Sequence, residues 1–502
     1  MRLHLTPVLG WAVRGIRAVR CFPSWRLATG VTIALGVALR LAPIVSDPLH
    51  PDECLYASWA LSIADGRDPW LRQTVIDKPP LFPYLLGGWC KLLGPEPLAL
   101  RLFGVGSSLI SMTALLWAMR RSYGTGPAAC GLVMLALSPV AIALDGTALT
   151  DPPAIAFGVL ALSAALIASN LTAGILLGLA MATKPQLLAY APVVLAAAIS
   201  VKARRLAWRQ VAVGFLAVVG AVALWELARG APRGFVAAAI SHYGFGSSST
   251  HPWQLAADWG SLLRWVWGEP RAIALWVLAA LAALATLVGR KEGWSAGDAV
   301  GLGAVLSLFG YIGGNVAVAA PAWDRYALPA VPLLAMVLAW STNRLNRWIP
   351  AAGRDVLEVL LGLLLALTMA RPAQEAAAGR LSLGDTSRWE GIESTATYLR
   401  GQVPGRATIL YQDFGWHIRY YMRGFPQDFR WFSSTEELLA EAAQAYPCYV
   451  LVAEDQAGES QIRALKQAGY RLQVAHTGYH HDGSVSMLLV RVTNIDPDDG
   501  AR

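Results

Sequence analysis

Long apolar stretches, many of them close to the length that crosses a bilayer, set the limits on what this chain can fold into. They fall at about 27–45, 99–119, 126–143, 151–168, 171–183, 186–200, 210–228, 270–289, 297–319, 327–342 and 354–371. A helix spanning about 30 Å of hydrocarbon needs roughly 20 residues, and shorter ones serve where their ends snorkel or neighbours hold them. Composition agrees, because 55% of the 502 residues are hydrophobic and only 15% charged, against about 25% charged in an ordinary soluble chain. A water-soluble enzyme, a disordered chain, a collagen-like fibre and a small disulfide scaffold are thereby excluded. Twenty Trp and 29 Pro suit membrane spans, since Trp collects at interfaces and Pro is tolerated inside. The expected fold is an α-helical polytopic membrane protein with about 11 transmembrane helices and a small C-terminal α/β extracytoplasmic domain.

The charges divide the chain. From residue 373 onward 12 Lys and Arg stand against 16 Asp and Glu, while the remainder holds 29 basic and 17 acidic residues. The net charge of +8 therefore belongs to the apolar part. Scattered between spans, the basic residues read as cytoplasmic anchors rather than as a nucleic-acid surface. The five cysteines, Cys21, Cys54, Cys90, Cys130 and Cys448, show no paired or metal-ligand spacing and read as small apolar fillers. No cofactor is called for; a divalent metal stays open, but no ligand spacing indicates one.

Charge parity orients the spans. The run at 79–93 is about 14 residues long with prolines near its start, and suits an interfacial or re-entrant helix. If it does not cross, Arg14, Arg17, Arg20 and Arg26 share a side with Arg120 and Arg121, Lys202, Arg204 and Arg205, Arg290 and Lys291, and Arg344 and Arg347. All the clustered positives then face the cytoplasm. The first span, preceded by a basic segment and lacking a small-x-small cleavage site, reads as a retained signal-anchor in an inner or plasma membrane. This arrangement keeps the N-terminus cytoplasmic. It sends loops 46–98 and 229–269 outward, together with the region after 372, dividing the chain into a membrane domain at 1–372 and an outer domain at 373–502. The outer domain alternates β-rich runs at 407–411, 448–452, 470–475 and 485–492 with helical patterns, one opened by a Ser434-Thr435-Glu436-Glu437 capping box. Residues 496–502 read as an acidic tail.

The unusual residues lie in the outward loops. Asp52 and Glu53 follow Pro51 at the start of a helical pattern to Ala64, with Tyr56 one turn later. Asp52 reads as an N-cap, as a base for an acceptor hydroxyl or amine with Glu53 supporting it or binding acceptor, or as both. Asp77-Lys78-Pro79-Pro80 sets a lysine on a backbone stiffened by two prolines, aimed at one point near the headgroups, where it binds phosphate or simply snorkels. Asp151 caps a span or serves the site. Lys184-Pro185 forms a second lysine-proline corner, and Arg325 lies at the outer start of a span as an anchor or a second phosphate contact. His242, Tyr243, Phe245, His251, Trp253 and Trp259 line a lipid or sugar path or, the preferred reading, form an interfacial belt.

These motifs occur in an order that resembles a known class. Pro51-Asp52-Glu53 with Tyr56, Lys78-Pro79-Pro80-Leu81, Ala99-Leu100-Arg101-Leu102, Leu137-Ser138-Pro139, Thr150-Asp151-Pro152, Gly178 to Lys184, and Arg325-Tyr326-x-Leu328-Pro329-x-x-Pro332 resemble the GT-C membrane glycosyltransferases. The likeness is to the protein mannosyltransferase and aminoarabinose lipid A transferase group, family 39. It implies a polyprenyl-phosphate sugar donor, inverting transfer to a lipid, glycan or protein acceptor, and chemistry on the outer membrane face. By motif it implies that Asp52 is the catalytic acid/base residue and Glu53 its neighbour in the acceptor site. Lys78 becomes a donor-phosphate ligand, with Arg325 and Lys184 as further contacts. The class usually has Glu where this chain has Asp77, and Gly where it has Pro185. A transporter or flippase of lipid-linked sugars is the alternative; it predicts mid-span charges and repeated halves, whereas here the outer loops hold most of the acidic residues.

Overall fold

A computed structural model describes residues 25–44, 48–201, 206–243, 251–268, 283, 295–381 and 387–494. Two compact units emerge. One contains the residues up to Ile44, Trp70–Phe82 and Arg101–Leu383; the other joins Val45–Pro69 and Pro83–Leu100 to Gly384–Arg502.

The first unit is helical. Ten of the eleven apolar stretches fall on described helices, and 270–289 lies outside the described residues apart from Ala283. Among the described residues five helices are long and apolar enough to cross a membrane: Pro97–Tyr123, Ala207–Arg229, Ala296–Ala317, Asp324–Leu345 and Gly353–Ala377. Shorter apolar helices include Thr125–Leu137, Asp151–Leu166 and Asn170–Thr183. The stretch expected at 126–143 breaks at Ser138, because Pro139 starts a new short helix, Pro139–Leu144. The stretch at 186–200 opens instead with a tight 3-10 turn, Pro185–Tyr190. The Asp324–Leu345 window is 89% buried, whereas that of Ala207–Arg229 is 11% buried. The first therefore belongs to the protein core, and the second turns most of its apolar surface, including Leu216, Leu224 and Leu227, to the surroundings. Between Asn170–Thr183 and Ala207–Arg229 the backbones nearly touch: a Cβ on Gly174 would run into Val211 O, and one on Gly214 into Leu171 O. Small residues at both positions let the helices close, as membrane helices commonly do.

Arg40, at the end of the helix Trp25–Leu41, is fully buried. Its Nε donates to Asp145 Oδ2 at 2.9 Å, and its terminal nitrogens donate to Gly36 O, Ala136 O and Leu135 O. Ser108 donates to the same Asp145 oxygen at 2.7 Å. This buried ion pair ties the turn before Asp151 to two helices, and Gly104 leaves room for the Asp145 and Thr147 carbonyls.

The second unit is built on a five-stranded sheet, β1 Thr408–Tyr411, β2 Asp428–Trp431, β3 Cys448–Ala453, β4 Tyr470–Tyr479 and β5 Val485–Asn494, in the order β2-β1-β3-β5-β4. β1 runs parallel to β2 and β3, with Thr408 facing Asp428 and Cys448, while β5 is antiparallel to β3 and β4. Alternation at period 2 divides the core. Ile409, Tyr449 and Leu451 pack with Ile392, Leu399, Phe414 and Ile418 of the helices Ile392–Gln402 and Gly415–Tyr421 and the segment before them. Leu410, Val450 and Val452 pack with Leu438, Ala442 and Leu465 of the helices Thr435–Gln444 and Gln456–Gln467. The four β-rich runs expected from sequence are strands; β2 is a fifth, and its four residues, carrying Asp428 and Arg430, make a weak apolar signal. The Ser434 capping box is half formed. Ser434 accepts from the Glu437 N–H at 3.3 Å, but the Glu437 carboxylate takes the Ser433 N–H and hydroxyl, each at 2.7 Å.

Candidate active site

The acidic pair lies on the helix Pro51–Ala64 of the second unit. Pro51 bars helical geometry at His50 and has no N–H to waste at the first helical position. His50 is therefore the N-cap, in place of the expected Asp52. Its Nδ1 accepts from the Asp52 N–H at 3.0 Å, while Glu53 Oε2 reaches back to the His50 N–H at 2.8 Å, closing a capping box. Glu53 is fully buried, and Asp52, in the first turn where the helix dipole favours negative charge, is half-buried. Two adjacent carboxylates thus receive different tasks: Glu53 braces the turn and Asp52 is left to other partners. Tyr56, 2% exposed, packs edge-on against Trp59 with ring centroids 5.7 Å apart.

The basic residues gather in the first unit. Pro185 forces Lys184 out of helical geometry, so the helix Asn170–Thr183 stops there and Lys184 takes φ −148°, ψ 111°. Its ammonium meets Asp151 Oδ1 at 2.5 Å and lies 4.5 Å from the centre of the Tyr326 ring. Asp151, at the first position of its own helix behind Thr150, is 2% exposed. It does not act as the N-cap; it is the counter-ion of Lys184. Burial pushes the Lys184 ammonium below its ordinary value and Asp151 opposes the shift, while the positive charges of Arg325 and Lys78 add to the lowering. The charges of Arg325 and Lys78 thus both act on Lys184. Arg325, in the tight turn Asp324–Ala327, has its guanidinium carbon 4.9 Å from the Trp323 ring centre and 5.5 Å from that of Tyr326. Lys78 Nζ lies 3.2 Å from Asp77 Oδ2, and His242 Nε2 is 4.0 Å from the same oxygen.

Aromatic packing fixes the Tyr326 platform. Trp259 stacks on Tyr326 at 5.8 Å, and the Tyr311 hydroxyl donates to Tyr326 O at 2.8 Å. Trp259 is 2% exposed, so it is a core residue and not part of an interfacial belt, whereas Trp253 at 71% exposed fits one. Tyr243 ends the helix Phe235–Tyr243; its side chain, like Phe245, lies outside the described residues. No cluster of three or more His, Cys, Asp or Glu able to hold a metal occurs among the described residues.

The structure thus brings Asp77, Lys78, Asp151, Lys184, His242 and Arg325 into one unit and Asp52, Glu53 and Tyr56 into the other. The local sequence did not reveal that Asp151 and Lys184 pair, that Tyr326 lies beside the lysine, or that His50 is the cap. The Arg325-Tyr326 motif did contain the aromatic residue, and an X-Pro-Asp-Glu start is a legible capping-box signal.

The model of the family described as dolichyl-phosphate-mannose-protein mannosyltransferase matches residues 77–226, a segment that begins at Asp77 and Lys78 and includes Asp151 and Lys184. No match was found among curated protein sequences. Among solved structures, ArnT from Cupriavidus metallidurans bound to undecaprenyl phosphate superposes with TM-score 0.65 at 14% identity, over 92% of this chain and 97% of that chain. The oligosaccharyltransferase of Archaeoglobus fulgidus, in complex with Zn and sulfate, gives TM-score 0.56 at 12% identity, over 91% and 72% of the two chains. At such identities the likeness is one of fold. By that fold and by the matched segment, the chain is a multi-pass membrane protein similar to the GT-C class of glycosyltransferases.

Proposed function

We propose that this protein transfers a sugar from a polyprenyl-phosphate donor to an acceptor at the extracytoplasmic face, with inversion at the anomeric carbon. The observation that carries the reading is that Lys184 and Arg325 both lie against the Tyr326 ring, Lys184 also on the buried Asp151, with the charge of Lys78 acting on Lys184. Lys184 on Asp151, Lys78 on Asp77 and Arg325 against the Tyr326 ring are cations of the kind that suit a phosphate that arrives and gains charge as it leaves. The printed description of the ArnT relative, bound to undecaprenyl phosphate, supports the donor class. Asp52 removes the acceptor proton; the acceptor oxygen or nitrogen forms its bond to the anomeric carbon as the bond from that carbon to the phosphate oxygen breaks. The lipid phosphate departs with the electron pair, held by Lys184, Arg325 and Lys78. Glu53 keeps Asp52 in place through the His50 cap, and Asp151 and Asp77 hold the two lysines. In this reading the chain crosses the membrane about eleven times, and its N-terminus is cytoplasmic. The acidic helix and the sheet domain lie outside. The acceptor is a lipid, a glycan or a protein.

Purified protein incubated with a panel of radiolabelled polyprenyl-phosphate sugars, with and without membrane extract, tests this. Acceptor-dependent release of free polyprenyl phosphate is expected with one donor. Saturable donor binding with no release from any of them would replace the transferase by a transporter of lipid-linked sugars.

A further inference from the structure

The residue before the His50 cap is held from far along the chain, entirely within the second unit. Leu49 is fully buried. Its N–H donates to the Tyr421 hydroxyl at 3.0 Å, and its carbonyl accepts from His417 Nε2 at 2.9 Å. Facing a carbonyl oxygen, Nε2 must carry the proton, and burial pushes the imidazole down to about 4, so the ring is neutral at ordinary pH. The Tyr421 hydroxyl in turn donates to Glu393 Oε1 at 3.2 Å. Trp389 stacks on His417 with centroids 4.6 Å apart, leaving the ring little freedom. Tyr420, on the same helix, donates to Pro95 O at 2.5 Å. The short helix Gly415–Tyr421 thus aims three polar side chains, at spacings of three and four residues, at two loop segments that precede it by more than 300 positions.

We propose that His417 and Tyr421 are positioning residues for Asp52: gripping the peptide groups on both sides of Leu49, they fix the His50 cap and with it the direction of the Asp52 carboxylate. The inference rests on Asp52 being the base. Nothing in the chemistry requires a loop in front of a catalytic helix to be held by both its N–H and its carbonyl. Leu49 is thus held at the peptide groups on either side of it, and a base displaced by about 1 Å can lose about a hundredfold in rate. The sheet domain, in this view, sets the geometry of the acidic helix rather than serving as a separate binding module.

The test uses full-length protein in detergent, with an active donor and acceptor, and compares Tyr421→Phe, His417→Leu, His417→Gln and Asp52→Asn. Tyr421→Phe and His417→Leu are expected to lower kcat about tenfold to a hundredfold, with donor and acceptor KM within about twofold. His417→Gln, whose amide N–H can reach the same carbonyl, is expected to recover most of the loss. A Tyr421→Phe protein turning over at the wild-type rate would overturn the proposal. So would a loss that Gln does not relieve and that follows the fall in thermal stability of each variant, since that is packing alone. Turnover persisting in Asp52→Asn would instead remove the base assignment, and this inference with it, so the two failures are told apart.

Discussion

Lys184 shows how one proline turns a surface residue into a buried one. Without Pro185 the helix Asn170–Thr183 could run on; with it the lysine takes an extended backbone and its ammonium meets Asp151 and the Tyr326 ring. A buried ammonium with one carboxylate and one aromatic partner keeps donor capacity for an incoming anion. We predict that Lys184→Met and Lys78→Ala each raise the donor dissociation constant about tenfold or more, in proportion to the charge removed beside the phosphate. Titration of detergent-solubilised protein with a fluorescent polyprenyl phosphate measures this, and unchanged affinity in both variants would remove the phosphate role. Residue chemistry of this kind was legible in the sequence as two lysine-proline corners. The identity of their partners was not, because Asp151 and Tyr326 lie 33 and 142 positions from Lys184 and only the fold brings them together.

At the scale of elements, two tethers stand out. The turn before Asp151 is held by the buried Arg40–Asp145 pair, supported by Ser108 and three backbone carbonyls. Removing one partner of such a pair leaves an uncompensated buried charge, so Arg40→Ala is expected to cost about 3–5 kcal/mol and lower the unfolding midpoint in detergent, while Ser108→Ala costs about 1 kcal/mol. Equal, small shifts for both would show that the pair is not structural. The second tether is the helix Gly415–Tyr421. His417 has its pKa lowered from 6.5 to about 4 by burial. Between those values the unfolded chain binds a proton that the folded one does not. Stability of the second unit is therefore complete above about pH 6.5 and falls as the pH drops toward 4, by on the order of 3 kcal/mol. Hydrogen exchange at 415–421 and 48–54 should accelerate together over that window in the wild type, and His417→Gln should flatten the dependence. Elements made of uninterrupted apolar runs, such as Ala207–Arg229 and Cys448–Ala453, are legible in the sequence. β2 is not, because its stability comes from pairing with β1 and from Arg430 bridging Asp428 and Glu441 rather than from apolar residues of its own.

For the whole molecule, the charge asymmetry between the two parts of the chain anticipated a helical body and a separate acidic domain. It could not reveal that 45–69 and 83–100 group with the sheet, because the bonds responsible, from Tyr421 to Leu49 and from Tyr420 to Pro95, connect segments hundreds of residues apart. The acidic helix is therefore part of the sheet unit, and the cationic cluster part of the helical one. In the proposed reaction Asp52 takes the proton and takes no part in holding the donor. The most direct measurement is a paired one on Asp52→Asn: donor affinity, and acceptor-dependent release of polyprenyl phosphate. Wild-type affinity is expected, with release slowed about 10²- to 10⁴-fold, the usual contribution of a general base. Release near the wild-type rate, with the protein folded and the donor bound, would contradict it.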